Sequence, residues 1–271
     1  MFRYRSHSDE SRRECSSFKP KTMKFRLRAC AFHLIGSGLV AAAAWLLVFT
    51  VWYPSPLAYM LGGTGLFLLV VVVDVVMGPA LTAVVASERK PRTEFRRDVS
   101  IIIALQLAAF AYGLHVMAQA RPAVIAFEVD LFRLVAAAEV ADEQLDLAPP
   151  GLQQLSWRGP VTLAAIKPSD EKEQFDTIQL GLAGIHLAAL PRYWRHYDDH
   201  AGLAWESALP IAKVLNQQPN LKQEIDKIAS HAKVDAASLR VLPLLARRVE
   251  GMVLLAPGGR VAGLLAATAP P

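Results

Sequence analysis

Hydrophobic positions are distributed unevenly along this chain, and the unevenness divides it in three. Residues 30–53, 61–85 and 99–118 are almost uninterrupted apolar runs, whereas from Arg121 onward apolar and polar residues intermix as in a globular sequence. A helix rises about 1.5 Å per residue, so each run is long enough to cross a hydrocarbon layer of about 30 Å. The pattern predicts a membrane protein with three transmembrane α-helices followed by a C-terminal α+β extracytoplasmic domain. Its parts are a basic, disordered segment 1–29, a transmembrane region 30–120 and the domain 121–271.

Within the domain the period changes from element to element. Arg121-Pro122 opens AVIAFEVDLFRLV, where Phe127, Val129 and Leu131 alternate with Glu128 and Asp130 as in a strand. A helix-prone stretch follows and is broken at Pro149-Pro150-Gly151, and 161–166 reads as a second strand. Residues 171–190 look helical up to Pro191, and 203–217 look helical with Pro210 kinking or splitting them. Residues 220–233 carry a capping signature, with Pro219 ahead, Asn220 as the cap and Gln223 at the return position. Residues 239–246, 251–256 and 261–266 read as strands, the last two joined by the turn Pro257-Gly258-Gly259-Arg260. A domain with its own strands, helices and near-balanced charge is expected to fold by itself.

Charge changes the picture only when it is taken by segment. The whole chain carries +5 and has a pI near 9.3. Residues 1–29 hold nine Lys/Arg against three acids, residues 87–98 hold five against three, and the chain from 121 onward holds fifteen against seventeen. The basic surplus thus flanks the apolar runs, which argues against a nucleic-acid partner. By the positive-inside rule it places the N-terminus and the loop 87–98 in the cytoplasm, and the turn Tyr53-Pro54-Ser55-Pro56-Leu57 and everything after Arg121 outside. Met23, followed by basic residues and then the first apolar run, stands as an alternative start. The first run is too long for a cleaved signal peptide and reads as an uncleaved anchor. The two cysteines, Cys15 and Cys30, both precede the domain, which excludes a cysteine-built disulfide or zinc site there.

The second apolar run carries the candidate chemistry. An ionisable Asp74 lies near its middle, and Gly78-Pro79 follows one turn later. A carboxylate at such depth costs about 2.5–3.5 kcal/mol, so Asp74 must face protein, find a donor or stay protonated. By depth Trp45 is the nearer donor, with Gln106 within reach if the helices tilt. Pro79 has no N–H, which frees the Val75 carbonyl. Gly78 is expected to let the helix bend, and the Thr82 hydroxyl to fold back toward Gly78. Small residues recur four apart at Ser37 and Ala41, Gly38 and Ala42, Ala104 and Ala108, and Ala109 and Gly113, a spacing that packs helices within one chain or receives a partner's helix. His196 and His200 have helical metal-ligand spacing but no third ligand, which makes a polar surface segment the simpler account. The chain contains no G-x-S-x-G, P-loop, dinucleotide or H-E-x-x-H motif, so no catalytic, cofactor or metal site is expected.

Several stretches together resemble the TfpX/TfpZ family of type IV pilin accessory proteins. They are the start MKFRLRA, an apolar run closing on WYPSPL, VDVVMGPALT, LQLAAFAYGLHVMAQARP, VIAFEVDLFRLV, LDLAPPGLQQLSWRGP and LRVLPLLARR. The most specific combination is Asp74-x3-Gly78-Pro79-x-Leu81-Thr82 with Arg121-Pro122. The resemblance covers most of 23–267 and excludes 1–22. It implies a Gram-negative inner-membrane protein that assists a type IV pilin, major or minor, in stabilisation, delivery or assembly, with other pilus assembly proteins as further partners and no enzymatic activity. It also implies how the partner is presented, since a type IV pilin waits in the membrane by one apolar helix with its globular head outside. A membrane-anchored periplasmic sensor is the alternative, and it lacks a recognisable cytoplasmic output domain.

Overall fold

The structure, a computed structural model, describes residues 20–85 and 91–266, without the side chains of 20–26 and 92. Of the segment 1–29 predicted to be disordered, residues 1–19 lie outside the described residues, as do part of the basic loop and the extreme C-terminus, while residues 20–29 are helical. The chain forms two compact units, one of residues 1–41 with 71–109 and the other of 42–70 with 110–271.

Long helices account for the apolar runs. Helix α1 (Pro20–Leu46) continues as a π turn over Leu47–Trp52. A short helix α2 (Leu57–Leu61) follows, then α3 (Gly63–Val72), a second π turn (Val73–Met77) and α4 (Gly78–Val85), with no non-helical residue between Gly63 and Val85. Helix α5 is Arg92–Gln119. Three stretches, Leu27–Trp52, Gly63–Val85 and Thr93–Gln119, are long and apolar enough to cross a membrane. The irregularity expected at Gly78-Pro79 takes the form of the π turn just before it. Gly78 is ordinarily right-handed helical (φ −62°, ψ −57°), and the chain absorbs Pro79 by widening the preceding turn.

The second unit is built on an eight-stranded mixed sheet. Its strands are β1 (Pro122–Glu128), β2 (Leu131–Ala136), β3 (Val161–Ala165), β4 (Trp194–His196), β5 (Leu209–Pro210), β6 (Arg240–Leu245), β7 (Gly251–Leu255) and β8 (Val261–Ala266). Their order is β4-β3-β1-β2-β6-β7-β8, with β5 pairing β6; β1 with β3 and β2 with β6 are parallel, the other pairs antiparallel. The stretch after Arg121 is therefore a hairpin rather than one strand. Glu128 faces Leu131 across a two-residue turn in which Val129 has φ +62°, a conformation usually left to Gly or Asn, so no turn signal shows in the sequence.

The remaining elements fit the expected pattern with local changes. The helix-prone stretch after β2 forms only 3-10 turns, at Ala137–Glu139 and Asp142–Leu147. Helix α6 (Glu171–Leu182) is capped by Asp170, whose carboxylate accepts the Glu173 N–H at 2.9 Å, and ends earlier than expected. Pro210 splits the next helix into α7 (Ala201–Ser207) and α8 (Ile211–Gln217), with β5 between them. Helix α9 (Lys222–Ala232) begins after a 3-10 turn at Pro219–Leu221, so the predicted Asn220 cap is not used.

Apolar side chains pack on both sides of the sheet. One cluster joins Val124, Ala126, Leu163, Leu187, Leu190 and Trp194. Another joins Ile211, Leu221, Ile225, Leu239, Val241 and Leu254 under α8 and α9. A third joins Ile125, Phe127, Phe132, Leu244, Val253 and Leu255, and it contains Leu57 and Met60 from α2, which are 2% and 0% exposed. The core of the sheet therefore includes residues from well before Arg121. The turn is pinned as well: the Val249 N–H donates to the Met60 carbonyl at 3.2 Å, and the Tyr53 hydroxyl donates to the Met117 carbonyl at 2.9 Å.

Candidate functional site

The first unit buries a polar group where an apolar helix has little reason to carry one. Asp74 lies in the π turn, 8% exposed. In the π register its carbonyl would accept from the N–H five residues ahead, and that residue is Pro79, which has none. Gln106 of α5 supplies the missing donor, its Nε2 lying 3.0 Å from the Asp74 carbonyl. Gly78 makes this possible, because a Cβ there would collide with the Gln106 amide. Asp74, Gly78, Pro79 and Gln106 are thus one construction: proline removes a backbone donor, glycine clears the approach, and a side-chain amide fills the vacancy.

What remains is a set of acceptors without donors. Neither carboxylate oxygen of Asp74 has a hydrogen-bond partner, nor has Oε1 of Gln106, and all three are buried. A buried polar atom left unpaired costs about 1–3 kcal/mol, more if charged. A single proton on Asp74 gives one donor for three oxygens and leaves at least one unmet.

The neighbouring contacts differ from the sequence expectation. The Thr82 hydroxyl meets Nδ1 of His33 at 2.6 Å rather than turning back to Gly78, and the Cys30 thiol approaches the Pro79 carbonyl at 3.5 Å. His33 was missed as a site residue. Its signal was the polar pair Cys30 and His33, three apart and hence on one helical face. Trp45 is 51% exposed and packs on Phe49, with ring centroids 5.9 Å apart, so the polar group reaching Asp74 is Gln106. Helix α5 begins at Arg92 rather than at the apolar run, so Gln106 lies about 10 Å further along its helix than the run alone implies.

Most of the small residues do not serve close packing within the chain. Ala42, Ala104, Ala108 and Ala109 are exposed, and Ser37, Gly38 and Ala41 are half-buried, with open space where a Gly38 side chain would lie. Gly113 is the exception, since a Cβ there would lie 2.7 Å from Val70. Only 11%, 17% and 11% of the most apolar windows of the three long helices is buried.

In the second unit, Arg121 closes the junction of α5 with the sheet. Its guanidinium donates to the Ala118 carbonyl at 2.6 Å and the Ser156 carbonyl at 3.3 Å, and lies 4.1 Å from the Trp157 ring centre. His196 and His200 do not converge on further ligands; Nδ1 of His200 sits 3.3 Å from the His196 carbonyl. Among the described residues no group of His, Cys, Asp and Glu has the arrangement of a metal site.

Comparison with known proteins gives consistent matches. The profile of the fimbrial assembly protein FimB family matches residues 21–62. The fimbrial assembly protein of serogroup I from Dichelobacter nodosus is 30% identical over 85% of this chain and 91% of its own length. That of serogroup E1 is 29% identical over the same shares. That of serogroups C1 and C2 is 36% identical over 46% of this chain and 95% of its own length. No solved structure matches.

Proposed function

This chain belongs to the family of fimbrial assembly proteins, and we propose that it is a non-enzymatic inner-membrane protein that assists a cognate type IV pilin on its way into the pilus. In this reading the three long helices cross the membrane, the basic residues beside them stay in the cytoplasm, and the sheet domain stands outside. The finer resemblance to the TfpX/TfpZ proteins is part of the proposal.

The observation that carries it is the unmatched polar group at Asp74 and Gln106. In lipid an unpaired acceptor has no water to turn to, so a buried set of them favours association with a helix that brings donors. The exposed small residues at Ala104 and Ala108, and the open space beside Gly38, support the same role, since small faces let a partner backbone approach closely. A pilin subunit held by its apolar helix is the partner that the family membership favours.

Crosslinking in cells tests this directly. Met77 and Leu81, 52% and 45% exposed, lie within two turns of Asp74, and a photoreactive residue at either is expected to capture pilin. Asp74→Leu weakens the capture while Asp74→Asn, which still offers an acceptor, preserves most of it. Crosslinks confined to the protein itself, together with normal surface pili in both variants, would overturn the reading.

A further inference from the structure

The end of the first long helix carries a second feature that neither pilin binding nor the core explains. Trp52 closes that helix, and its ring lies 6.1 Å from Trp157. Trp157 is 59% exposed, with the Arg121 guanidinium over one face at 4.1 Å, so a large apolar ring is held at the surface without being used by the core. The next residue, Arg158, is exposed, and among the described contacts its side chain has no acidic partner.

A second loop meets the same turn. The bond from Val249 to Met60 holds the preceding Arg248 against Gly62, where φ is +76° and a Cβ would lie 2.7 Å from a guanidinium nitrogen. Arg248 is exposed and likewise has no acidic partner among the described contacts. Two loops distant in sequence thus meet the end of the first long helix and the turn after it: 156–159, with the Trp157 ring near Trp52 and Gly159 beside Pro54, and 246–250, with the Arg248 guanidinium against Gly62. Exposed Arg158 lies in the first loop, and Glu250 is the one acid within these two segments.

We propose that this rim is a docking surface for the headgroups of anionic phospholipids. The inference rests on the reading that the long helices cross a membrane, which puts the rim at the headgroup level of the outer leaflet. Tryptophan prefers that level because its ring is amphipathic, and arginine matches a phosphate with a fork of donors. Lipid is favoured over an acidic protein because the ring and the cations are continuous with the end of an apolar helix. The rim would fix the height and tilt of the sheet domain over the bilayer.

The test uses the full chain in nanodiscs, with spin-labelled phosphatidylglycerol compared with spin-labelled phosphatidylcholine. Wild type is expected to select phosphatidylglycerol. The double variant Arg158→Gln with Arg248→Gln lowers that selectivity by up to about fivefold per arginine, the factor corresponding to about 1 kcal/mol for each cation near a charged surface. The matching Arg→Lys pair restores most of it, and high salt brings wild type toward the Gln variant. Equal selectivity in wild type and the Gln variant overturns the proposal, including the case in which the rim binds an acidic protein instead. Failure of the chain to enter nanodiscs at all would sink the membrane reading and the proposal together.

Discussion

The two compact units solve the problem of buried polar groups in opposite ways. In the sheet-containing unit, deep polar side chains close on their own surroundings. The Trp194 indole donates to the Ala188 carbonyl at 3.0 Å, the Tyr197 hydroxyl to the Gly259 carbonyl, and Arg121 to two carbonyls. Gln144 alone leaves a side-chain oxygen unmet there among the described residues. In the other unit the buried acid Asp74 is unmet at both oxygens, and Gln106 beside it is unmet at Oε1. One unit pairs nearly all of its deep polar side chains, whereas the other leaves three acceptor oxygens unmet at one spot. The proposed function gives that difference a meaning, because a protein that assists a pilin subunit would hold it and later release it.

Substitutions in the sheet-containing unit should have the largest effects. Trp194→Ala removes a ring that is 1% exposed together with its hydrogen bond, and is expected to cost about 3–5 kcal/mol in thermal or denaturant unfolding. Leu57→Ala tests whether the turn before the second long helix belongs to the sheet core. We expect a loss of about 2–5 kcal/mol and, by the same logic, weak or absent cooperative unfolding for a fragment of residues 121–271. A fully cooperative fragment would show that Leu57 and Met60 are dispensable and would restore the boundary at Arg121.

That boundary illustrates what was legible in the sequence. Strands β3, β6, β7 and β8 were readable because Pro and Gly punctuate them, and the split at Pro210 followed from its missing N–H. The β1–β2 hairpin was hidden by Val129 in a left-handed turn, and β4 by being only three residues long. The insertion of Leu57 and Met60 into the sheet was not legible, since a short apolar turn between two spans looks the same whether it packs or not. At the polar site, Asp74, Gly78 and Pro79 stood out as exceptions within an apolar run. Their partner did not, because choosing between Trp45 and Gln106 depends on where α5 starts and how the helices are rotated.

Gly78→Ala probes the intermediate case. The added methyl meets the Gln106 amide, so the variant is expected to lose about 1–3 kcal/mol by overpacking. Gln106→Ala in the same chain should recover part of that loss, and strictly additive losses would mean that the two residues do not touch. A smaller effect is expected from pH. Burial first, and then the nearby Arg133 guanidinium, hold the pKa of the half-buried His186 below its ordinary value. The unfolded chain therefore binds the proton more readily, and stability falls as pH drops through the ordinary histidine range and below it. The decrement is modest because the ring is only partly buried, and His186→Gln should remove it from the unfolding profile.

The smallest expected change in stability, joined to a large change in function, tests the central claim. Asp74→Leu replaces an unmatched buried carboxylate by an apolar side chain of similar size, so the fold should be as stable as wild type or slightly more so. Thermal stability of the purified variant, measured beside the number of surface pili in cells carrying it, separates the two readings. If the acceptors await a partner, stability is kept or raised while piliation falls sharply. A variant that is destabilised by several kcal/mol, or one that is stable and fully piliated, would contradict the account and make Asp74 a residue the protein keeps for itself.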